Sequence, residues 1–314
     1  MSNCLVTGGA GFIGSNLCKE LLARGHRVKV IDNLSTGKIK NISPFIDKIE
    51  FIKGDLKLKE DAKKACEGID YIFHEAAIPS VRRSVEDPVV TNDANISGTL
   101  NLLIAAKEAK VKRVVYAGSS SIYGDSPVLP KKEDMKPDPL SPYAVSKLTG
   151  EYYCKVFSSL YGIDTVTLRY FNVFGPNQDP SSLYSGVISI FITKLLEGKN
   201  PTIFGDGRQS RDFTFVKNVV EGNILAATVP LAANKIINIA CGNRIDLNQL
   251  VNSLNEILNS KIKPIYTDSR PGDVKHSQAD ISLAREILGY SPRFSFKDGL
   301  IETVRWYNEE HEKE

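Results

Sequence analysis

Through the first half of the 314-residue chain, short β-branched runs alternate with segments whose apolar residues recur at helical spacing. Cys4–Thr7, Val28–Asp32, Ile49–Gly54, Tyr71–His74, Val114–Ala117 and Thr165–Leu168 read as strands covered on both faces. Such strands carry near-continuous apolar runs instead of clean alternation. Between them, Phe12, Ile13, Leu17 and Leu21, and then Leu100, Leu103 and Ile104, recur at a helical period. The pattern predicts an α/β fold, a Rossmann-type doubly wound parallel sheet.

After Gly175-Pro176 the rhythm changes. Helical patterns at Val187–Leu196, Asn218–Ala227, Leu247–Leu258 and Ile281–Leu288 surround short strands at Thr202–Phe204, Phe213–Val216 and Ile236–Ile239. The expected division is a dinucleotide-binding domain over 1–175 and a smaller mixed α/β substrate domain over 176–314. Segments around 210–241 are expected to pack back on the first.

Composition narrows the class. Forty basic against 37 acidic residues leave a formal charge of +3, which offers no footprint for nucleic acid or a membrane surface. Cys4, Cys18, Cys66, Cys154 and Cys241 are odd in number, scattered and without a CxxC pair. They predict reduced thiols in a cytoplasmic protein, with neither a disulfide framework nor a metal site. No apolar stretch approaches a membrane span, and the N-terminus lacks the pattern of a signal peptide.

The strongest local signal is Thr7-Gly8-Gly9-Ala10-Gly11-Phe12-Ile13-Gly14, which closes the first strand and opens the first helix. Gly8, Gly11 and Gly14 give the spacing of a dinucleotide fingerprint. Glycines allow the tight turn and a close approach to pyrophosphate, and the helix N-terminus offers N–H groups to it. Asp32 ends the second strand, where a carboxylate binds ribose hydroxyls and repels a 2′-phosphate, favouring NAD over NADP. Asn33 adds to the ribose contact. Asp55, beside Leu56, is placed for the adenine edge, although taken alone it fits a loop or cap residue equally.

Tyr143 and Lys147 stand four residues apart, so a helix presents them on one face. A neighbouring ammonium and a positive nicotinamide ring would favour the phenolate and make Tyr143 a usable base. The turn Gly118-Ser119-Ser120-Ser121, at the end of a strand, supplies a hydroxyl to share the substrate's proton.

Thr7–Gly14, Ser119–Gly124, Tyr143–Lys147 and Arg169–Pro176 together resemble the extended short-chain dehydrogenase/reductase family, and within it the UDP-hexose 4-epimerases. The resemblance implies that Tyr143 takes the C4 proton of the sugar while C4 passes hydride to NAD. A 4-keto sugar then turns over and takes the hydride back on its other face. Lys147 would hold the nicotinamide ribose, and Ser119 would be the catalytic hydroxyl with Ser120 as neighbour. Ala76 and Ala77 fall in the cofactor loop. The related 4,6-dehydratases carry an Asp–Glu pair where Ser120 and Ser121 stand here, so dehydration is disfavoured.

The same resemblance assigns a substrate pocket. Asn172 would contact the sugar nucleotide, Arg211 and Arg270 would clamp its diphosphate, and Asp273 would meet the uridine ribose. Val187 and Phe204 line the uracil slot or belong to the core. Ser277 falls where a bulky tyrosine in relatives excludes an N-acetyl group. Serine leaves room, so UDP-GlcNAc and UDP-GalNAc are expected beside UDP-Glc and UDP-Gal, with Ser80 or Arg83 supplying positive contacts. The family also pairs subunits through helices corresponding to Ala94–Ala109 and Ala144–Tyr161, implying a homodimer joined by a four-helix bundle.

Two rivals stay open. A UDP-glucuronate 4-epimerase or decarboxylase would share these motifs and read the C6 carboxylate with Lys131, Arg82 or Arg83. A catalytically idle NAD-binding sensor or scaffold would usually have lost Tyr143, Lys147 or Ser119.

Overall fold

Seven strands, all parallel, form the central sheet of the computed structural model, which describes residues 1–179, 186–268 and 275–312. The first six are β1 (Asn3–Thr7), β2 (Arg27–Asp32), β3 (Ile49–Lys53), β4 (Tyr71–His74), β5 (Arg113–Ser119) and β6 (Asp164–Tyr170). Their spatial order is β3-β2-β1-β4-β5-β6, the doubly wound order, and the strand Ile236–Ile239 adds beyond β6. The continuous apolar runs have a direct cause: neighbours in a strand point to opposite faces, and both faces are covered. Leu5, Ile72 and Val114 face a core shared with Leu102, Ala106 and Phe157. Val6, Phe73, Val115 and Val166 face the other core, with Leu17, Leu21, Val219 and Val220.

The order reverses between β1 and β4, so the carboxyl ends of the strands open there into a crevice, the usual ligand site of such sheets. Beyond β6 the chain leaves the sheet. Helix Val187–Leu196 follows, then three two-stranded pairings: Thr202–Phe204 with Ile265–Thr267, Ser210–Arg211 with Ile245–Asp246, and Val173–Phe174 with Thr214–Phe215. Helix Val216–Thr228 packs back against the first helix, Phe12–Ala23, and leads into the seventh strand. Helices Leu247–Leu258 and Phe296–His311 both open on reciprocal capping boxes, Asp246 with Gln249 and Ser295 with Asp298.

A buried ion pair fastens the long helix Pro142–Tyr161 to this framework. Arg169 on β6 meets Glu151 through two bonds, Nε at 3.0 Å and Nη2 at 2.7 Å. Its Nη1 donates to Tyr123 Oη, which donates to Asn238 on the seventh strand. Removing one partner of a pair so buried costs about 3–5 kcal/mol, because the other charge is stranded. All five cysteines are free, and no described helix is long and apolar enough to cross a membrane.

Candidate active site

A cavity of about 1140 Å³ runs along the carboxyl edge of the sheet. At one end lies the glycine turn. Gly8 has φ of +66°, and a Cβ there would sit 2.7 Å from Ala76 Cα. A Cβ on Gly14 would stand 2.3 Å from Gly8 O. The turn therefore requires glycine at both positions and leaves backbone at the cavity wall. Helix Phe12–Ala23 starts at Gly11 with no side-chain cap, so its first N–H groups remain for an anion.

Asp32 lies beside this turn, buried, accepting from Ala10 N at 3.0 Å and Leu34 N at 2.8 Å. Burial raises its pKa and these two donors hold it down. Gly37, which carries no signal in the sequence, packs so closely that a Cβ there would lie 2.8 Å from Asp32 Oδ2. Asn33 donates to Asp55 at 3.1 Å, and Leu56 completes the wall. Burial pushes the Asp55 carboxyl up, but bonds from Lys57 N and Asn33 bring it below its ordinary value. The cradle, the uncapped helix and the carboxylate fit an NAD dinucleotide.

The loop after β4 is held from below. Ala76 N donates to Thr7 Oγ1, which meets His74 Nδ1 at 2.7 Å. His74 Nε2 meets Thr99 Oγ1 at 2.9 Å, and Thr99 donates to Asn95 O. Because Thr99 spends its proton on that carbonyl, His74 must donate from Nε2 and accept at Nδ1. Burial, aided by Lys147, drops the His74 pKa to about 3 and keeps the ring neutral. Asn95 sits in a π-helical turn, Asp93–Ser97, and brackets Ile78 through N–H and C=O while donating to Ser146. Turns of this kind recur at functional sites.

Tyr143 and Ser119 border one cavity, and Lys147 stands one turn further along the helix of Tyr143. Pro142 and the Ser141 cap start the helix, and Ser119 ends β5 and caps the turn Ser120–Tyr123. Ser119 Oγ accepts from Ser121 N, lies 2.9 Å from Ser121 Oγ and stands close enough to the Tyr143 phenol to ease its ionisation. The Lys147 side chain runs back toward the sheet. Its ammonium donates to Ala117 O at 2.8 Å and lies over the Tyr116 ring. Burial consequently dominates at Tyr143 and raises its pKa, with the Ser119 hydroxyl lowering it and Glu75 raising it further. Burial likewise lowers Lys147 to about 8, against the pull of Glu75.

Toward the other end, Asn172 (φ +34°), Arg211, Ser277, Ser80 and Arg83 border the same cavity as Ala76, Ala77 and Ser120. Ser80 caps helix Val81–Glu86 through Arg83 N. Arg211 Nη1 donates to Ser210 O and Lys275 O. Val187 and Phe204 are half-buried and do not border the cavity formed by the described residues. Arg270 and Asp273 lie outside the described residues.

Four residues escape a reading of the sequence. Ser84 receives Tyr143 N. Asp212, fully buried, accepts from Cys241 N, Gly242 N and Ala279 N and thereby joins three segments near Arg211 and Ser277. Burial lifts Asp212 to about 6 despite those donors. His276 borders the cavity and bonds Ser210 Oγ at 2.8 Å. Glu75 stands at the cavity wall, near enough to Tyr143 to oppose its ionisation. All depend on contacts between distant segments, although each adjoins a residue that the sequence singles out: Arg83, Arg211, Ser277 and Ala76.

Residues 4–240 match the model of the NAD dependent epimerase/dehydratase family. A UDP-glucose 4-epimerase of Mycolicibacterium smegmatis is 38% identical over 96% of this chain and 97% of its own length. Among solved structures, a UDP-N-acetylglucosamine 4-epimerase from Methanobrevibacter ruminantium M1, in complex with UDP-N-acetylmuramic acid, superposes with TM-score 0.94. It is 43% identical over 98% of this chain and 99% of that one. A Thermus thermophilus UDP-glucose 4-epimerase in complex with NAD reaches TM-score 0.88 at 36% identity, covering 98% and 99%.

Proposed function

The chain belongs to the NAD dependent epimerase/dehydratase family, and we propose that it interconverts UDP-hexoses at C4, N-acetylated hexoses included. One observation carries this reading. The phenol of Tyr143 and the hydroxyl of Ser119 meet at one cavity, between a glycine cradle and a wall holding Arg211 and Ser277. When bound, NAD supplies an acceptor and donor of hydride.

The chain's own residues do the rest. Gly8, Gly11, Phe12, Ile13 and Gly14 present backbone to the pyrophosphate, and Asp32 and Asn33 take the adenosine ribose. Tyr143 exchanges a proton with the C4 hydroxyl, and Ser119 shares it. Burial, and after it Glu75, disfavours the phenolate, so base strength at Tyr143 depends on positive charge arriving with the cofactor. Asn172 and Arg211 hold the sugar nucleotide, with Arg270 and Asp273 assigned by resemblance. Serines at 120 and 121 leave no carboxylates there to eliminate water.

The division of labour follows the chain: 1–175 for the cofactor and 176–314 for the sugar nucleotide, with about 210–241 returning to the sheet. Exposed Val145, Tyr152, Val156 and Leu160, beside Val85, Val89 and Ile104, support a homodimer through the helices near Ala94–Ala109 and Ala144–Tyr161. Five free thiols support a cytoplasmic home.

A hexuronate substrate is the second reading. Lys131 borders the cavity, buried, and its ammonium donates to Ser126 O.

The test is incubation with UDP-GlcNAc, UDP-Glc and UDP-glucuronate separately, without added NAD, products resolved by anion exchange. C4 epimers of the first two support the reading; turnover of the uronate alone favours the second. No product from any of them, with NAD then supplied, overturns both. Tyr143→Phe should cut turnover by about 10²–10⁴.

A further inference from the structure

We propose that Glu75 is a positioning residue for the oxidation state of the cofactor, a carboxylate set beside the reacting centre so that the positively charged, oxidised nicotinamide is favoured over the neutral, reduced one. The inference rests on the reading that NAD occupies this cavity. Three observations carry it.

Glu75 follows β4 directly, at the point where the sheet reverses its order. Its N–H donates to Thr7 O at 3.2 Å, and a Cβ on Gly8 would come 3.1 Å from its carbonyl carbon. The residue is thus locked against the glycine cradle.

Its carboxylate is aimed by a directed chain. Tyr170 Oη stands 2.8 Å from Asn223 Nδ2, 3.0 Å from Asn223 Oδ1 and 2.8 Å from Glu75 Oε1; with Asn223, fully buried, donating through Nδ2, the single phenol proton goes to the nearer acceptor, Glu75. A phenol that receives a proton donor behind it gives a stronger one in front. The arrangement suits an ionised acceptor.

Finally, the carboxyl has no direct ion-pair partner among the described residues and stands at the cavity wall. Glu75 and Tyr170 border the cavity together with Tyr143. Among the described residues no lysine or arginine nitrogen pairs with Glu75. The groups around it are Tyr170 from β6, Asn223 from helix Val216–Thr228, Cys18 from the first helix, and Tyr143 and Lys147 from the catalytic helix. Lys147 is the one cation among them, and it points to Ala117 O.

A carboxylate here has a cost, since it makes the Tyr143 phenolate harder to form. The return is specific to an epimerase. Hydride must go back to the keto sugar in every cycle, and reduced dinucleotide left behind after the sugar escapes would stall the enzyme. A negative charge near the ring makes that return downhill. Glu75 titrates around neutrality, where burial has raised it to about 7, so the preference for the oxidised form should grow as pH rises through that region.

The test is the ratio of NADH to NAD+ dissociation constants, measured by competition with NADH fluorescence on the full-length protein. Glu75→Gln should shrink the preference for NAD+ by about tenfold and flatten its pH dependence. The near-ultraviolet absorbance of reduced cofactor accumulated during turnover should rise in the same variant. Tyr170→Phe, which keeps the carboxylate but removes its donor, should move the inflection to higher pH. If Glu75→Gln weakens both dinucleotides equally and leaves the ratio unchanged, Glu75 is a packing residue and the proposal is wrong. If the wild-type protein binds neither dinucleotide, the cofactor reading itself has failed, and this proposal with it.

Discussion

The main-chain N–H of Tyr143 donates to the hydroxyl of Ser84 at 3.0 Å, and that hydroxyl in turn donates to Val81 O. Ser84 is fully buried on helix Val81–Glu86. The second residue of helix Pro142–Tyr161, whose N–H has no partner within its own helix, is therefore satisfied by helix Val81–Glu86, whose Arg83 borders the same cavity as Tyr143.

Ser84→Ala should strand that N–H and destabilise the protein by about 1–3 kcal/mol. It should lower kcat more than it raises KM, because the displaced group is the base and not a substrate contact. Urea denaturation and steady-state kinetics check the two parts. An unchanged kcat would mean that Tyr143 is positioned by its own helix alone.

Ser277 is held by its N–H on Ser210 O at 3.0 Å, with the side chain at the cavity wall. Ser277→Tyr should abolish turnover of UDP-GlcNAc and leave UDP-Glc within a few fold. Equal survival of both sugars would remove the gate.

His74 gives a pH prediction with a fixed sign. Its folded pKa of about 3 lies below the ordinary 6.5, so the unfolded chain binds the extra proton first. The stability of the neutral ring is intact above pH 6.5 and drains away as pH falls toward 3. His74→Gln, which can still accept from Thr7 and donate to Thr99, should flatten that stretch of the stability profile. Denaturant midpoints across the acid range report it.

Leu160 and Val89 are about two-thirds exposed, at 70% and 66%, on the helical faces assigned to the subunit contact. Val156→Glu, on the same face as Tyr152 and Leu160, should convert a dimer into monomers in sedimentation at micromolar concentration. A protein already monomeric before substitution would end the dimer proposal.

What the sequence disclosed follows from the range of the forces involved. Strands covered on both faces write themselves as apolar runs, so β1 to β6 were legible to within a residue or two. Gly8 and Gly14 were legible because local sterics alone demand them. Tyr143 and Lys147 share a helix, but the direction of the Lys147 ammonium depends on Ala117 O, far back along the chain on β5; spacing could not report it. Asp212 and His276 act on segments distant in sequence, and Asn95 works through a π-turn that no propensity signals. Val187 and Phe204 were apolar and near the expected slot, yet apolarity does not distinguish a wall from a core.

The strand Ile236–Ile239 closes the sheet beside β6, although the chain between them has gone elsewhere to build helix Val187–Leu196 and short strands outside the sheet. During synthesis, then, the finished half of the sheet must wait with Thr165–Tyr170 as an open edge until its neighbour leaves the ribosome. An open edge of that kind invites foreign strands. The same excursion means that neither half can be lifted out as a tidy module: a gene cut after the sixth strand would encode a sheet with a raw margin, and a gene fusion that swaps the segment after it would have to carry Ile236–Ile239 back with it.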